Sequence, residues 1–243
     1  MCVSRQATIS TAGARSKTAA PAELVNSAGA FLYIPSLWYS ACMDNLEART
    51  RRELADIVAV LTELTGLPSR WSGRVELVPD AEFKGKKRFL CDIQLDAALA
   101  EKEARWTTLI HEALHSLSAG YFRDDYQNFQ GWEEGVVEHL QRFYRPRVLS
   151  RLVVKADPFL FQKLDAEHGY NKFIAALEDI RQAQSDAEAS SSEAEAFYLD
   201  LLATPLRDRK SRVSRYGFSL PPPERQRFFS IISAASATLR TRG

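Results

Sequence analysis

The chain has 243 residues, 45% of them hydrophobic and 26% charged, which is ordinary for a globular protein with a sizeable buried core. Its 32 basic and 31 acidic residues give a net charge of +1, so composition offers no general basis for binding nucleic acid or an anionic membrane. Three scattered cysteines, Cys2, Cys42 and Cys91, exclude a disulfide framework and a cysteine zinc ribbon, and they fit a reducing compartment.

The N-terminal 22 residues are predicted to form a disordered tail. This segment is rich in Ser, Thr and Ala and lacks the apolar stretch of a secretory signal. The most apolar segment, Ala28–Met43, is shorter than the roughly 18 residues of a membrane span and contains Pro35, so we interpret it as core. We therefore expect a cytoplasmic protein with no membrane association, organised as one domain over 23–243.

A long helix and then a small sheet are predicted next. Apolar residues at helical spacing predict a helix over about 46–65, which Gly66 and Pro68 end; these residues are Leu54, Ile57, Val58, Leu61 and Leu64. Two β-compatible segments follow, Arg74–Val78 and Arg88–Leu95, with a turn at Lys84–Lys86 between them. Together they predict a small antiparallel sheet.

From residue 97 onward the pattern is helical. The predicted helices cover about 97–119, 131–145, 158–166, 170–184, 193–203 and 222–239. The expected fold class is α+β, mostly helical, with a helical C-terminal part over about 146–243. Two basic runs, 84–87 and 207–215, are interpreted as an exposed turn and an exposed loop rather than as anion or nucleic-acid contacts.

The segment that carries chemistry is His111-Glu112-x-x-His115. Residues four apart on an α-helix lie one above the other, so both imidazoles can reach one zinc ion. Glu112 follows the first histidine and can approach a water molecule on that ion, as metal-assisted hydrolysis requires. The apolar stripe of this helix lies on the opposite face, so the histidines are expected on a cleft floor; the stripe comprises Trp106, Ile110, Ala113, Leu114 and Leu117.

A third ligand is expected from the helix over 131–145. The third histidine of a metzincin would fall at Tyr121, which excludes that arrangement. Glu134 and Glu138 lie together on the face opposite Trp132, Val136, Leu140 and Phe143, and a loop over about Gly120–Gln130 can return Glu134 beside the histidines. Glu134 can then complete a His₂Glu site, while Glu138 can fix the tautomer of a ligand imidazole. The alternative is that Glu133 and Glu134 only favour the first turn of a helix through its dipole.

The spacing of His111-Glu112-x-x-His115, eighteen residues, then Glu134-Gly135 resembles the gluzincin zinc metallopeptidases, most of all their aminopeptidase branch and more distantly thermolysin. The resemblance implies a zincin-like fold with one zinc ion on His111, His115 and Glu134, and Glu112 as general base and acid. It also implies that Glu138 orients a ligand and that the strand at about Arg88–Leu95 is an edge strand that pairs with an extended peptide. The Gly-x-Met-Glu-Asn segment with which aminopeptidases hold a substrate amino terminus is missing, which favours an endopeptidase.

Gluzincins usually add a tyrosine or histidine that donates to the oxyanion. By this resemblance the candidates are His168, Tyr170, Tyr198 and Tyr216, with Tyr198 preferred and a buried core role as its alternative. We therefore expect a zinc-dependent endopeptidase acting on a peptide or protein, with no nucleic-acid partner and no signal for an oligomeric state. The alternatives are a processing protease that cleaves one regulator and a non-catalytic zinc-containing interaction protein.

Overall fold

The computed structural model describes residues 23–25, 31–33, 36–88, 92–120, 122–188 and 194–240. Backbone packing divides the chain into two compact units, residues up to Asp44 and residues from Asn45 onward. In the first unit, strands β1 (Glu23–Val25) and β2 (Phe31–Tyr33) pair in antiparallel fashion with Leu24 opposite Leu32. The predicted tail over 1–22 lies outside the described residues, and the prediction of one domain over 23–243 stays a prediction.

Helix α1 (Ser36–Thr65) begins ten residues before its predicted start and ends where Gly66, at a φ of +70°, reverses the chain. In the second unit, three of its predicted apolar positions are fully buried: Leu54, Ile57 and Leu61. A two-pronged ion pair joins Glu53 of α1 to Arg105, with N–O distances of 3.0 and 2.9 Å. Helix α1 therefore supports the helix that Arg105 begins.

The sheet of the second unit is mixed, so the prediction of an antiparallel sheet is wrong in part. Strands β3 (Val75–Val78), β4 (Gly85–Lys87) and β5 (Ile93–Asp96) lie in the order β3–β5–β4; β5 is parallel to β3 and antiparallel to β4. The segment predicted as an edge strand therefore supplies the middle strand, and the predicted Lys84–Lys86 turn contributes the edge. Lysines are tolerated there because an edge strand keeps one side in solvent.

Helices make up most of the second unit, which confirms the mostly helical α+β class. They are α2 (Ala97–Ala100), α3 (Arg105–Leu117), α4 (Arg123–Arg151), α5 (Pro158–Ala166), α6 (Asn171–Glu188), α7 (Ala194–Leu202), a 3₁₀ turn (Leu206–Asp208), α8 (Arg209–Gly217) and α9 (Pro222–Leu239). The predicted helix over 97–119 is thus divided in two, and α8 replaces much of the loop expected over 207–215. Within the described part of the chain, no helix combines the length and apolarity needed to cross a membrane.

Helix α4 is longer than predicted and is bent. It begins at Arg123, and Phe129 departs from helical geometry with φ −133° and ψ 26°. Most of the predicted loop over Gly120–Gln130 is therefore helical. Phe129 interrupts α4, so Glu133 and Glu134 follow this break by four and five residues and lie near the start of the helical stretch after it. The dipole of that stretch can therefore still favour both carboxylates.

Helices α3, α6, α7 and α9 pack against α4 and bury its apolar face. Trp132, Val136 and Leu140 are buried as predicted, but Phe143 is 40% exposed and Tyr144 is buried in its place. The drift of a straight apolar stripe around the helix accounts for this one-residue difference. Gly135 permits close contact with α6, since a Cβ there would lie 2.8 Å from Leu177 Cδ1.

Candidate metal centre

Three side chains from α3 and α4 converge on one point. The Nε2 atom of His111 lies 3.1 Å from Nε2 of His115 and 3.1 Å from Oε2 of Glu134. The remaining side of the triangle, from His115 Nε2 to Glu134 Oε2, measures 3.5 Å. All three residues are candidate ligands of one metal ion.

The triangle fits a tetrahedral ion. Zinc bonds to imidazole nitrogen and carboxylate oxygen are about 2.0–2.2 Å long, which places two ligand atoms about 3.3–3.5 Å apart. One observed separation, 3.5 Å, lies at this spacing, and the other two, both 3.1 Å, are about 0.2 Å shorter than its lower end. Two imidazoles and one carboxylate are also a donor set of catalytic zinc sites that keep a fourth position for water or substrate.

Both histidines are held by carboxylates on their other ring nitrogen. His111 Nδ1 lies 3.1 Å from Glu138 Oε2, and His115 Nδ1 lies 2.9 Å from Glu133 Oε1. A proton on each Nδ1 can be donated to these carboxylates, which leaves the Nε2 lone pairs directed at the centre of the triangle. Glu138 therefore lies where it was predicted, while the partner of His115 is a residue that the sequence argument had set aside.

Glu133 is completely buried and is itself held by Arg209 of α8. The guanidinium lies 2.6 Å from Glu133 Oε2 and donates to the Trp132 carbonyl at 2.8 Å and to the Ser118 hydroxyl at 3.0 Å. Ser118 donates to the same carboxylate at 3.1 Å. The buried charges are thus paired and hydrogen-bonded, the condition under which a protein interior tolerates them.

Glu134, the third ligand candidate, is held in place by other side chains of α4. The hydroxyl of Tyr126, two turns earlier in α4, donates to Oε1 of Glu134, and Gln130 donates to that hydroxyl at 3.2 Å. Oε2 therefore remains directed at the histidines. Tyr126 falls in the segment predicted as a loop, so no helical pattern related it to Glu134.

The electrostatics of the cluster favour its ionised carboxylates. Burial alone would raise the pKa of Glu133, but the charge of Arg209 and the hydrogen bond with His115 lower it to about 2. Burial alone would lower the pKa of His115. The charge of Glu134 and the hydrogen bonds with Glu133 and Glu134 outweigh the effect of burial and raise this pKa to about 9. The pKa of Glu134 is lowered by both histidines against the effect of burial. The ionised carboxylates thus favour positive charge at this centre, carried either by protons on the imidazoles or by a cation that displaces the Nε2 protons.

Glu112 lies beside the triangle with one oxygen unused. Its side chain is only 5% exposed, and its Oε2 has no hydrogen-bond partner among the described residues. Burial raises the pKa of Glu112, while both histidines and the Lys87 backbone N–H oppose this shift. A buried carboxylate oxygen without a partner is costly for folding, and a water or an ion held by the neighbouring ligand candidates would satisfy it.

Two cavities meet at Glu112. The large cavity, of about 1020 Å³, is lined by all three ligand candidates, and the small cavity, of about 390 Å³, is lined by His111 but by neither His115 nor Glu134. Gly85, His111, Glu112 and Tyr170 line both. The histidines thus face a cleft, as the sequence predicted.

The four oxyanion candidates have different positions. Tyr170 lines both cavities and stacks on His111 with ring centroids 6.0 Å apart, while His168 lines only the small cavity. Tyr198 is buried elsewhere: its hydroxyl donates to Glu178 at 2.7 Å and its ring stacks on His139. Tyr216 contacts Phe228 and lines neither cavity. Tyr170 therefore shares both cavities with the ligand candidates, whereas the preferred Tyr198 lies outside them, and the identity of an oxyanion donor stays a prediction.

Sequence reasoning missed Glu133, Arg209 and Tyr126. The only available signal was the neighbouring pair Glu133-Glu134, whose two side chains point about 100° apart on a helix and so can serve two different partners. A comparison of the chain with family models, with curated proteins and with solved structures finds no match. The gluzincin assignment therefore stays a prediction, and function is argued from the geometry of this cluster.

Proposed function

We propose that this protein is a zinc-dependent peptidase that hydrolyses internal peptide bonds. The observation that carries the proposal is the position of Glu112, a buried carboxylate with an unpartnered oxygen, beside three side chains spaced to hold one divalent ion. The two imidazoles and single carboxylate favour zinc among the common divalent ions. The low cysteine count suits the cytoplasm.

In the proposed reaction, the metal ligands and Glu112 have separate roles. A zinc ion held by His111, His115 and Glu134 would polarise the scissile carbonyl and acidify a bound water. Glu112 accepts the proton of the water whose oxygen forms the new bond to the carbonyl carbon. It then donates that proton to the amine nitrogen as the carbon–nitrogen bond breaks. Its raised pKa, caused by burial, suits a group that takes up a proton and returns it.

Tyr170 is suited to assist the oxyanion. Its ring lies against His111 in the part of the cleft that both cavities share. Burial and the nearby carboxylates raise its pKa, so the hydroxyl keeps its proton and can donate it in a hydrogen bond. A hydroxyl that donates where negative charge develops stabilises the transition state.

Space on both sides of Glu112 supports an endopeptidase. The two cavities lie toward opposite ends of the edge strand β4: Lys84, just before the strand, lines the small cavity, and Lys86 and Lys87 line the large one. An extended peptide can therefore pass the reaction centre instead of ending at it. Pairing with the backbone of an edge strand is a common way to hold such a peptide.

Metal analysis and peptide cleavage test the proposal together. We expect about one zinc per chain and cleavage of a mixed peptide library by the wild-type protein. Glu112→Gln should keep the zinc and lose cleavage, because the amide cannot accept the proton. Glu224→Gln, an exposed glutamate at the start of α9, is the matched control and should behave as wild type.

Two outcomes would contradict the proposal. Retained cleavage by Glu112→Gln would remove the general base from this position. Zinc binding without any cleavage, equal for wild type and Glu112→Gln, would favour the non-catalytic interaction protein. Cleavage of one sequence in the library and no other would instead favour a narrow processing protease.

A further inference from the structure

The wall of the large cavity is strongly basic. Apart from the ligand candidates and Glu112, one acidic side chain, Asp92, and five basic side chains line it: Arg70, Lys86, Lys87, Arg88 and Arg123. The small cavity carries Lys84 together with Glu138 and Asp165, so it has no such excess. The cleft is therefore positively charged on only one side of Glu112.

Arg70 is built into this wall. Its guanidinium donates to the carbonyl of Ala119, just after the end of α3. Gly120 makes this position possible because it adopts a φ of +97° and because a Cβ there would lie 2.3 Å from Arg70 Nη1. The position of this positive charge is thus fixed by the backbone of the loop that follows the motif helix.

The other arginines remain available to a ligand. Among the described residues Arg123 makes no ion pair, and the pair between Arg88 and Glu76 is exposed and 3.8 Å long. Exposed pairs of this length contribute little, so Arg88 can exchange Glu76 for another carboxylate at small cost. Basic side chains around a partly enclosed cleft raise the local concentration of anionic ligands.

Strand β4 sets the direction in which a paired peptide would lie along the basic wall of the large cavity. The Lys84 carbonyl accepts from Asp96 of β5 and the Arg88 N–H donates to the Asp92 carbonyl, so the alternation of the ladder turns the backbone groups of Gly85 and the Lys87 carbonyl away from β5. The Lys87 N–H is already bonded to Glu112. Lys84, just before β4, lines the small cavity, and Arg88, just after it, lines the large one. A peptide that pairs with β4 in the more stable antiparallel sense therefore places the residues before its scissile bond along the basic wall.

We propose that the substrate is an acidic peptide whose aspartate or glutamate residues precede the scissile bond and bind the basic wall. This inference rests on the proposed peptidase function and names its substrate class. Polynucleotides are also anionic, but the edge strand beside Glu112 offers backbone pairing that suits a polypeptide.

Three internally quenched peptides of equal length test the inference. One carries Asp and Glu at three positions before the central bond, one carries them after it, and one carries Asn and Gln instead. We expect kcat/KM for the first to exceed that for the neutral peptide by about tenfold at low salt, and this ratio to fall in about 0.3 M NaCl because the ions screen exposed charges. Equal cleavage of all three, or preference for the second, overturns the inference and leaves the peptidase function intact.

A double variant tests whether the preference for acidic peptides arises from the basic wall of the large cavity. Arg88→Gln with Arg123→Gln should reduce the ratio of kcat/KM for the acidic over the neutral peptide by about 3- to 10-fold, as expected for the loss of two solvent-exposed charge contacts. Arg215→Gln, which changes an exposed arginine of α8 outside both cavities, should leave the ratio unchanged. An unchanged ratio in the double variant also overturns the inference.

If no peptide is cleaved, that result counts against the proposed peptidase function. Peptide binding then tests the inferred substrate class. Fluorescence anisotropy of the labelled acidic peptide should then show tighter binding than the neutral one, and weaker binding to the double variant. Equal binding of both peptides, or equally strong displacement by a single-stranded oligonucleotide of matched charge, would overturn the inference.

Discussion

The Oε1 atom of Glu133 lies 2.9 Å from Nδ1 of His115, so a fully buried glutamate orients a histidine that faces the cavity. Because Arg209 holds the other oxygen of the same carboxylate, α8 contributes to the position of a candidate metal ligand without lining the large cavity. Positioning of this kind accounts for much of the affinity of protein metal sites.

We predict that Glu133→Gln weakens zinc binding by about 10- to 100-fold, because the amide holds the His115 tautomer less firmly. A competition titration with a chromogenic chelator measures this directly. Glu224→Gln serves as the control and should bind zinc as the wild type does. An unchanged zinc affinity in Glu133→Gln would show that the carboxylate is needed only for packing.

Removal of Arg209 should strongly destabilise the fold. Arg209→Met leaves Glu133 buried without its cation, which typically costs about 3–5 kcal/mol in the free energy of unfolding. Arg212→Met on the same helix removes only an exposed pair with Asp200 and should cost less than about 1 kcal/mol. Urea unfolding measures both. Arg209→Met with Glu133→Met should be more stable than Arg209→Met alone; the reverse order would contradict this account.

Replacement of Tyr170 and replacement of Tyr198 should have opposite effects on kcat and on stability. Tyr170→Phe should lower kcat by about 10²- to 10³-fold, the usual loss when one oxyanion donor is removed, with little change in zinc content. Tyr198→Phe removes a buried hydrogen bond to Glu178 and should reduce stability by about 1–3 kcal/mol while kcat is kept. Steady-state kinetics and thermal unfolding of both variants check this assignment, and the opposite pattern would restore Tyr198 as the donor.

Gly85 should be required for the close approach of the edge strand to the motif helix. A Cβ at this position would lie 2.4 Å from Thr108 Cγ2 and 3.1 Å from Glu112 Cγ. Gly85→Ala should therefore displace Glu112 and lower kcat/KM, with zinc retained. Thr108→Ser deletes the nearer obstacle, so the double variant should recover activity in part. Gly169→Ala, where a Cβ meets nothing within 4 Å, is the neutral control.

His139 should make stability depend on pH. Burial lowers its pKa to about 4, whereas an unfolded histidine titrates near 6.5. Between these values only the unfolded chain binds the proton, so the contribution of neutral His139 to stability is fully present above about pH 6.5 and is lost, by up to about 3 kcal/mol, as the pH drops toward 4.

His139→Phe keeps a ring against Tyr198, which the wild-type imidazole stacks upon at 3.6 Å, and removes the titrating group. Urea unfolding at several pH values should show a loss of stability between pH 6.5 and 4 that is about 3 kcal/mol smaller than in wild type. Parallel stability curves for the two proteins would show that His139 is not the group responsible.

The proximity of residues in one helix, or in two helices joined by one connecting segment, could be predicted from the sequence. The shared face of His111 and His115 follows from helical spacing alone, and the reach of Glu134 follows from the length of one return. The contact of Glu133 with Arg209 depends instead on how α8 packs on α4, which no local pattern records. For the same reason, composition suggested a turn at Lys84–Lys86, whereas pairing with β5 makes most of this segment a strand.

The bend at Phe129 shapes the centre in a way that a regular helix could not. Eight residues of straight α-helix advance about 12 Å, which would carry the Tyr126 hydroxyl away from the Glu134 carboxylate it contacts. The irregular geometry at Phe129 thus brings the Tyr126 hydroxyl and the Glu134 carboxylate together within one segment of chain. Straightening this segment would separate the candidate ligand from the hydroxyl that holds it.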